Sequence, residues 1–266
     1  MDILKRNIAP ITAEAWKEID AQASAMLRAL LGGRRVADVS GPKGWTCDSV
    51  SDGTLSLAEE TPVEGVNYGI RDVTPLVEIR APFTLSMWEL DDISRGSKIT
   101  DFTALQDAAR QAALFEDTAV FMGLEEAGIL GIELEAGNEP IELAFGGDAL
   151  VEAVYAATQR LAARGVGGPY ALVCSKEVMA KIKTCAAVYP LEKRLERIVE
   201  KIIVSPQYET NFVTSLRGGD SELTVGQDFS VGYQSHTNTE VNFYITETFT
   251  FRVFAPEAFV PLKLVG

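Results

Sequence analysis

A chain of 266 residues with 47% hydrophobic content is long enough to bury a substantial core, which excludes a disordered segment. The formal net charge of −14 excludes an ordinary nucleic-acid binder, because neutralising phosphates takes clusters of Lys and Arg that the sequence does not contain. Protein, small-molecule or cation partners fit this balance better.

The short basic stretch before Pro10 reads as an arm that rests on something else. With only Lys5 and Arg6 as its basic residues and no long apolar run behind them, it does not resemble a signal peptide. No stretch reaches the roughly 18 apolar residues of a membrane span. The first predicted element is an amphipathic helix over 12–31. Trp16, Ile19, Ala23, Met26, Leu27, Leu30 and Leu31 recur at helical steps, Thr12 caps the start and Gly32-Gly33 ends it. From 47 to 75 the chain turns to Ser, Thr and Gly with alternating apolar residues. This predicts an extended two-stranded arm that buries little alone and completes itself on a neighbouring chain, unless it is a loose flap. A strand over 76–83 follows, and then Trp88, either an apolar packing residue or a platform for a flat ligand.

A second long helix is predicted over 101–126, with Leu105, Ala109, Ala112, Phe115, Ala119 and Met122 on its stripe. Further helices are expected over 148–164, 175–186 and 190–201, around a strand in GPYALVCS. After the strand KIIVSP the chain is β. Val241 to Phe259 reads as one long half-buried strand with apolar odd positions, and Glu247 breaks the pattern by placing a carboxylate on the apolar face. The mixture is α+β.

Chemistry-bearing motifs are sparse. Cys47, Cys174 and Cys185 are odd in number and widely spaced, and read as free thiols of a reducing cytoplasm. The lone histidine, His236, lies in a polar turn with no nucleophile beside it, and no metal site is expected. RGVGGPY places Tyr170 where a dinucleotide loop needs Gly, so it reads as a helix stop and turn. Pairs such as Glu59-Glu60, Asp91-Asp92 and Glu125-Glu126 diverge on any regular element and read as solvated surface.

Eight blocks carry a resemblance: LKRNIAPITAEAWKEID, GRRVADVSGPKGW, FTLSMWELDDISRG, FEDTAVFMG, GPYALV, YPLEKRLERI, RGGDSELTVGQDFSVGY and ITETFTFRVFAPEA. In this order, over almost the whole chain, they resemble the encapsulin shell proteins. The resemblance implies the α+β fold of tailed-phage major capsid proteins, of the Hong Kong 97 type. Residues 1–46 would form the arm and inner helix of a peripheral domain, and 47–75 the extended loop. The spine helix and its surroundings would occupy 76–131, an axial domain 132–223, and returning peripheral strands 224–266. Many copies would close into an icosahedral compartment in the bacterial or archaeal cytoplasm, with no nucleic acid or membrane as partner. The cargo would be a ferritin-like ferroxidase or a dye-decolourising peroxidase, held by its C-terminal peptide and serving iron storage or oxidative-stress defence. The shell itself would require no cofactor and perform no catalysis.

The family's cargo groove corresponds to Met26, Leu27, Leu30, Arg34, Val36, Asp38, Asp228, Phe229 and Val231. Apolar members would take Leu and Ile anchors, and Arg34, Asp38 and Asp228 the polar ends. The fivefold pore loop corresponds to Thr184, Cys185, Ala186, Ala187 and Val188, small and neutral. Some members bind a flavin at positions matching Arg80 and Trp88. Two other readings remain beside the shell: the major capsid protein of an integrated phage, and a free-standing flavin-binding enzyme.

Overall fold

The computed structural model describes residues 3–144, 146–185, 189–205 and 209–265. The first helix, α1 (Ala13–Leu30), starts where the Thr12 hydroxyl accepts the Ala15 N–H at 3.2 Å, and buries Ala15, Ile19, Ala23 and Leu27. A short strand, β1 (Asp38–Ser40), leads to the arm, a two-stranded ribbon of β2 (Ser49–Leu57) and β3 (Gly69–Pro75) that pair only with each other. Then β4 (Val77–Ser86) re-enters the body, alternating buried and exposed residues, and runs into α2 (Met87–Ser94). The second long helix is α3 (Thr103–Phe121). A small ladder of β5 (Gly123–Leu124) and β6 (Ile129–Leu130), α4 (Ile132–Glu135) and β7 (Ile141–Leu143) lead away from it.

The second half opens with α5 (Gly147–Ala163), β8 (Tyr170–Ser175), α6 (Lys176–Thr184), α7 (Leu191–Leu195) and β9 (Lys201–Ser205). Strands β10 (Phe212–Ser215), β11 (Ser221–Val225), β12 (Ser230–His236), β13 (Glu240–Val253) and β14 (Phe259–Leu264) complete it. Two five-stranded sheets result. In the first, β13 is the central strand: one edge bonds β4 along its length, and the other is shared by β12 and β11, with β1 beyond. The second runs in the order β7, β14, β10, β8, β9.

Several expectations change here. The stretch 241–259 is not one strand. It breaks at Pro256, and β14 crosses into the second sheet, where it pairs with β10, apart from β11, β12 and β13. Nor is β13 half-buried, since Phe243 to Phe251 are buried on both faces, Thr246, Thr248 and Thr250 included. The expected helix over 190–201 shrinks to α7 before the turn into β9. Along α3 the buried residues are Leu105, Ala108, Ala109, Ala112, Ala113, Glu116, Asp117, Ala119, Val120 and Phe121, while Phe115 and Met122 are exposed. Small Ala residues let α3 lie close on the sheet. Trp16 meets Phe243 edge-on at 5.5 Å, and Phe83 stacks on it at 5.3 Å. The N-terminal arm rests on this sheet: the Tyr233 N–H donates to Leu4 O and the Tyr244 hydroxyl to Ile3 O.

Candidate functional site

One flank of α1 and the facing strands enclose a groove of about 420 Å³. Ala23, Leu27 and Leu31, each four residues apart, stack along one side, while Phe229, Val231 and Ile245 form the other. Arg6, Asp20, Arg28, Arg34 and Asp228 add charge to the walls. Arg6 is tied to Asp20 at 2.6 Å and lies 4.0 Å over the Trp16 ring, which fixes one end of the groove.

Arg34 is set by the way α1 ends on α3. The Asp117 carboxylate accepts the N–H groups of Gly32 and Gly33, and Gly33 sits so close to α3 that a Cβ there would meet the Val120 side chain at 3.0–3.1 Å. Arg35 donates to the carbonyls of Arg28 and Ala29, satisfying the end of α1. Arg34 is thereby aimed under the groove. Its Nε donates to both Glu116 oxygens at 3.1 and 2.9 Å, and its Nη2 reaches Asp228 at 2.9 Å and Glu247 at 2.5 Å. Its guanidinium also lies 5.1 Å over the Phe229 ring.

The side chains of Glu116 and Glu247 are fully buried, and that of Arg34 is 19% exposed. Burial works against the Arg34 charge, but Glu116, Glu247 and Asp228 together outweigh it and raise its pKa above the ordinary value. Glu247 is pushed the other way for a carboxylate. Burial first, then the neighbouring Glu116, raise it well above the usual range, against the pull of Arg34. Glu247 Oε2 is buried and makes no hydrogen bond among the described residues. Burial also pushes Asp117 up to about 6, against the two backbone N–H groups that stabilise its charged form.

Five of the nine expected groove residues, Leu27, Arg34, Asp228, Phe229 and Val231, line this one groove. Met26 and Leu30 lie on the other flank of α1 and pack half-buried on the core. Val36 and Asp38 border a separate cleft of about 180 Å³, where Asp38 accepts the Gly219 N–H in a turn held by positive φ at Gly218 and Gly219. Of the expected pore loop, Thr184 closes α6 and donates to Ala180 O, and Cys185 is half-buried beside Leu143 and Leu150. Ala186, Ala187 and Val188 lie outside the described residues.

Arg80 and Trp88 are not neighbours within the chain. Arg80 lies in β4, six residues before its end, or about 20 Å of strand. It pairs with Glu78, covers the Tyr244 ring at 4.9 Å and borders a cleft with Lys5 and Tyr233. Trp88, on α2, is 70% exposed, so it is no core residue of this chain. His236 Nδ1 is hydrogen-bonded to the Tyr233 hydroxyl at 2.5 Å. The partner of Glu247 is Arg34, which Glu116 also binds. Glu116 and Asp117 had a legible signal: they continue the Ala112-Ala113 step at i+4, which places two carboxyls on a buried stripe.

A family described as an encapsulating protein for peroxidase matches residues 1–250. The chain belongs to the encapsulin shell proteins. A type 1 encapsulin shell protein of Rhodospirillum rubrum is 42% identical over 276 residues, covering 99% of this chain and 97% of the relative. One of Mycobacterium tuberculosis is 38% identical over 265 residues, covering 99% and 100%. Among solved structures, a virus-like particle from Pyrococcus furiosus superposes with a TM-score of 0.69 at 17% identity, over 94% of this chain and 100% of that one. The capsid of an empty GTA particle gives 0.54 at 16%, over 89% and 90%. The fold is that of tailed-phage major capsid proteins. As an encapsulin this chain is a structural shell protein and not an enzyme. Among the described residues no helix is long and apolar enough to cross a membrane.

Proposed function

We propose that this encapsulin self-assembles into a closed icosahedral compartment in the cytoplasm and encloses a cargo enzyme, whose C-terminal peptide docks in the groove between α1 and β12. The observation that carries the reading is the arm. Leu55, Leu57, Ile70 and Val73 on the β2–β3 ribbon are all more than half exposed, a two-stranded ribbon alone is marginal in water, and a second copy of the chain gives it a surface to cover. The groove supports the cargo part of the proposal, with apolar walls for Leu or Ile anchors and charges at its margins. The description of the family as encapsulating peroxidase favours a dye-decolourising peroxidase as cargo and a role in oxidative-stress defence. A ferritin-like ferroxidase and iron storage is the second reading. A flavin would enter only where two copies bring Arg80 of one beside Trp88 of another.

Size-exclusion chromatography with light scattering, then negative-stain microscopy, tests this. Hollow particles of megadalton mass that retain a second protein, identified by mass spectrometry, are the expected result. A monomer or small oligomer under mild conditions refutes assembly.

A further inference from the structure

Three carboxyl oxygens crowd one nitrogen where α1, α3 and β13 meet. Arg34 Nη2 lies 2.8 Å from Glu116 Oε2, 2.9 Å from Asp228 Oδ1 and 2.5 Å from Glu247 Oε1, with only two N–H bonds to share among them. The three acids are not equivalent. Glu116 takes the guanidinium in a fork, its two oxygens both accepting from Nε, a geometry that suits an ionised carboxylate. Asp228 has 48% of its side chain exposed, so water offsets its charge. Glu247 is fully buried, meets Arg34 through one oxygen and leaves Oε2 without a hydrogen bond among the described residues. A carboxylate with one bare oxygen in the interior is the costly form of such a group, and the neutral acid avoids that cost.

The surrounding elements bring no second cation to Glu247. From α3 come Glu116 and Asp117, and from the turn before β12 comes Asp228. After α1, Arg35 is turned away to the carbonyls of Arg28 and Ala29, and on α1 itself Asp20 is taken by Arg6. On β4 the residue paired with Glu247 is Ile79, while Glu78 and Arg80 pair with each other on the exposed face. On β12, Tyr233 and His236 hydrogen-bond each other. Burial first, then Glu116, push the Glu247 carboxyl above its usual range, which agrees with the charge count. We propose that Glu247 is held as the neutral acid, with its proton on Oε2, and acts as a pH-sensitive clamp joining the end of α1 to α3 and β13. With the proton in place, Arg34 and Glu116 form a closed pair to which Glu247 adds only an acceptor. When the proton leaves to solvent, a second buried negative charge faces Glu116 across one guanidinium. The turn over 32–35, which carries Arg34, is then released. A group whose pKa is raised on folding stabilises at low pH, and this contribution is lost as pH rises through the folded value.

The test uses the purified full-length protein in its native assembly state, wild type and two variants, from about pH 7 to about pH 10. Asp117 titrates near 6, below this window. Infrared spectra of the wild type at the lower pH are expected to show the carbonyl stretch of a protonated carboxyl, and Glu247→Gln to lack it. Amide hydrogen exchange over 31–36, corrected for the base-catalysed chemical rate, is expected to accelerate in the wild type by up to about tenfold per pH unit once Glu247 titrates. In Glu247→Gln the corrected rate should stay flat. Glu247→Gln, a neutral isostere, should also lower the unfolding temperature less than Glu116→Gln, which takes the charged partner from Arg34. A wild-type spectrum without the band, a band that survives in Glu247→Gln, or the same exchange profile in both proteins overturns the clamp. A larger loss of unfolding temperature in Glu247→Gln than in Glu116→Gln exchanges the roles of the two acids and also overturns it. Should neither variant fold, the wild type decides alone: the band must vanish over the pH interval in which exchange accelerates, and acceleration with the band intact refutes the proposal.

Discussion

Around Arg34 the chain provides every partner from within itself: Glu116 from α3, Glu247 from β13 and Asp228 from the turn before β12. The arm is built the opposite way. Its strands bond only each other, its apolar side chains stand in water, and Arg252 ties its base to the body through Ser51 O and Asp52. Both segments carry side chains that break the simple rule of apolar inside and polar outside. In one place the exception is a buried charge neutralised by its own chain, and in the other it is exposed apolar surface that its own chain leaves uncovered. Substitutions at the node should therefore register as lost stability of each subunit, and substitutions in the arm as lost assembly.

The largest effect is expected from Arg34→Ala. It leaves two fully buried carboxyls without their cation and should lower unfolding stability by about 3–5 kcal/mol in a denaturant titration. A loss under about 1 kcal/mol would mean that the node is not electrostatically closed. Next is the pH dependence. The folded Asp117 titrates near 6 against an ordinary 3.8, so the folded chain binds more protons in that interval. Stability from this group is present below the ordinary value and is lost as pH rises towards 6, on the order of 3 kcal/mol. The raised pKa of Glu247 acts with the same sign. Asp117→Asn should flatten this slope, and an unchanged slope would place the titration elsewhere. In the arm the sign reverses. Asp72 accepts the hydroxyls of Ser56 and Thr54, which hold its carboxyl below the usual range, so those bonds are lost as pH falls.

Cys174→Ser comes third. Cys174 is fully buried in β8, where burial pushes its thiol up to about 12, and a hydroxyl there should cost about 1–3 kcal/mol. Cys47→Ser, at the root of the arm, should stay within about 0.5 kcal/mol. The smallest stability effect belongs to Leu57→Asp, on a side chain 77% exposed: unfolding of the single subunit within about 0.5 kcal/mol of wild type, but no particles by light scattering. Particles that form normally would detach the arm from assembly.

The capped and periodic elements were legible in the sequence. Thr12 and Ser175 each accept the N–H that starts a helix, and the odd positions of β13 are the aromatic core. Glu247 was legible as an anomaly because a strand has only two faces, but its partners lay 131 and 213 residues away along the chain, at Glu116 and Arg34. Less legible was α2, too short for a periodic signal and begun at Ser86 without a side-chain cap bond. Phe115 and Met122 are apolar yet exposed, whereas α3 buries most of its alanines and two acids. The resemblance places Met26 and Leu30 with Leu27, whereas the packing of α1 turns them to its other flank.

The most direct measurement is a cryo-electron microscopy map of particles purified with their enclosed protein. The account predicts extended peptide density along Leu27, Leu31, Phe229 and Val231, on the inner surface of a closed shell. Filled particles whose groove holds no peptide would contradict it.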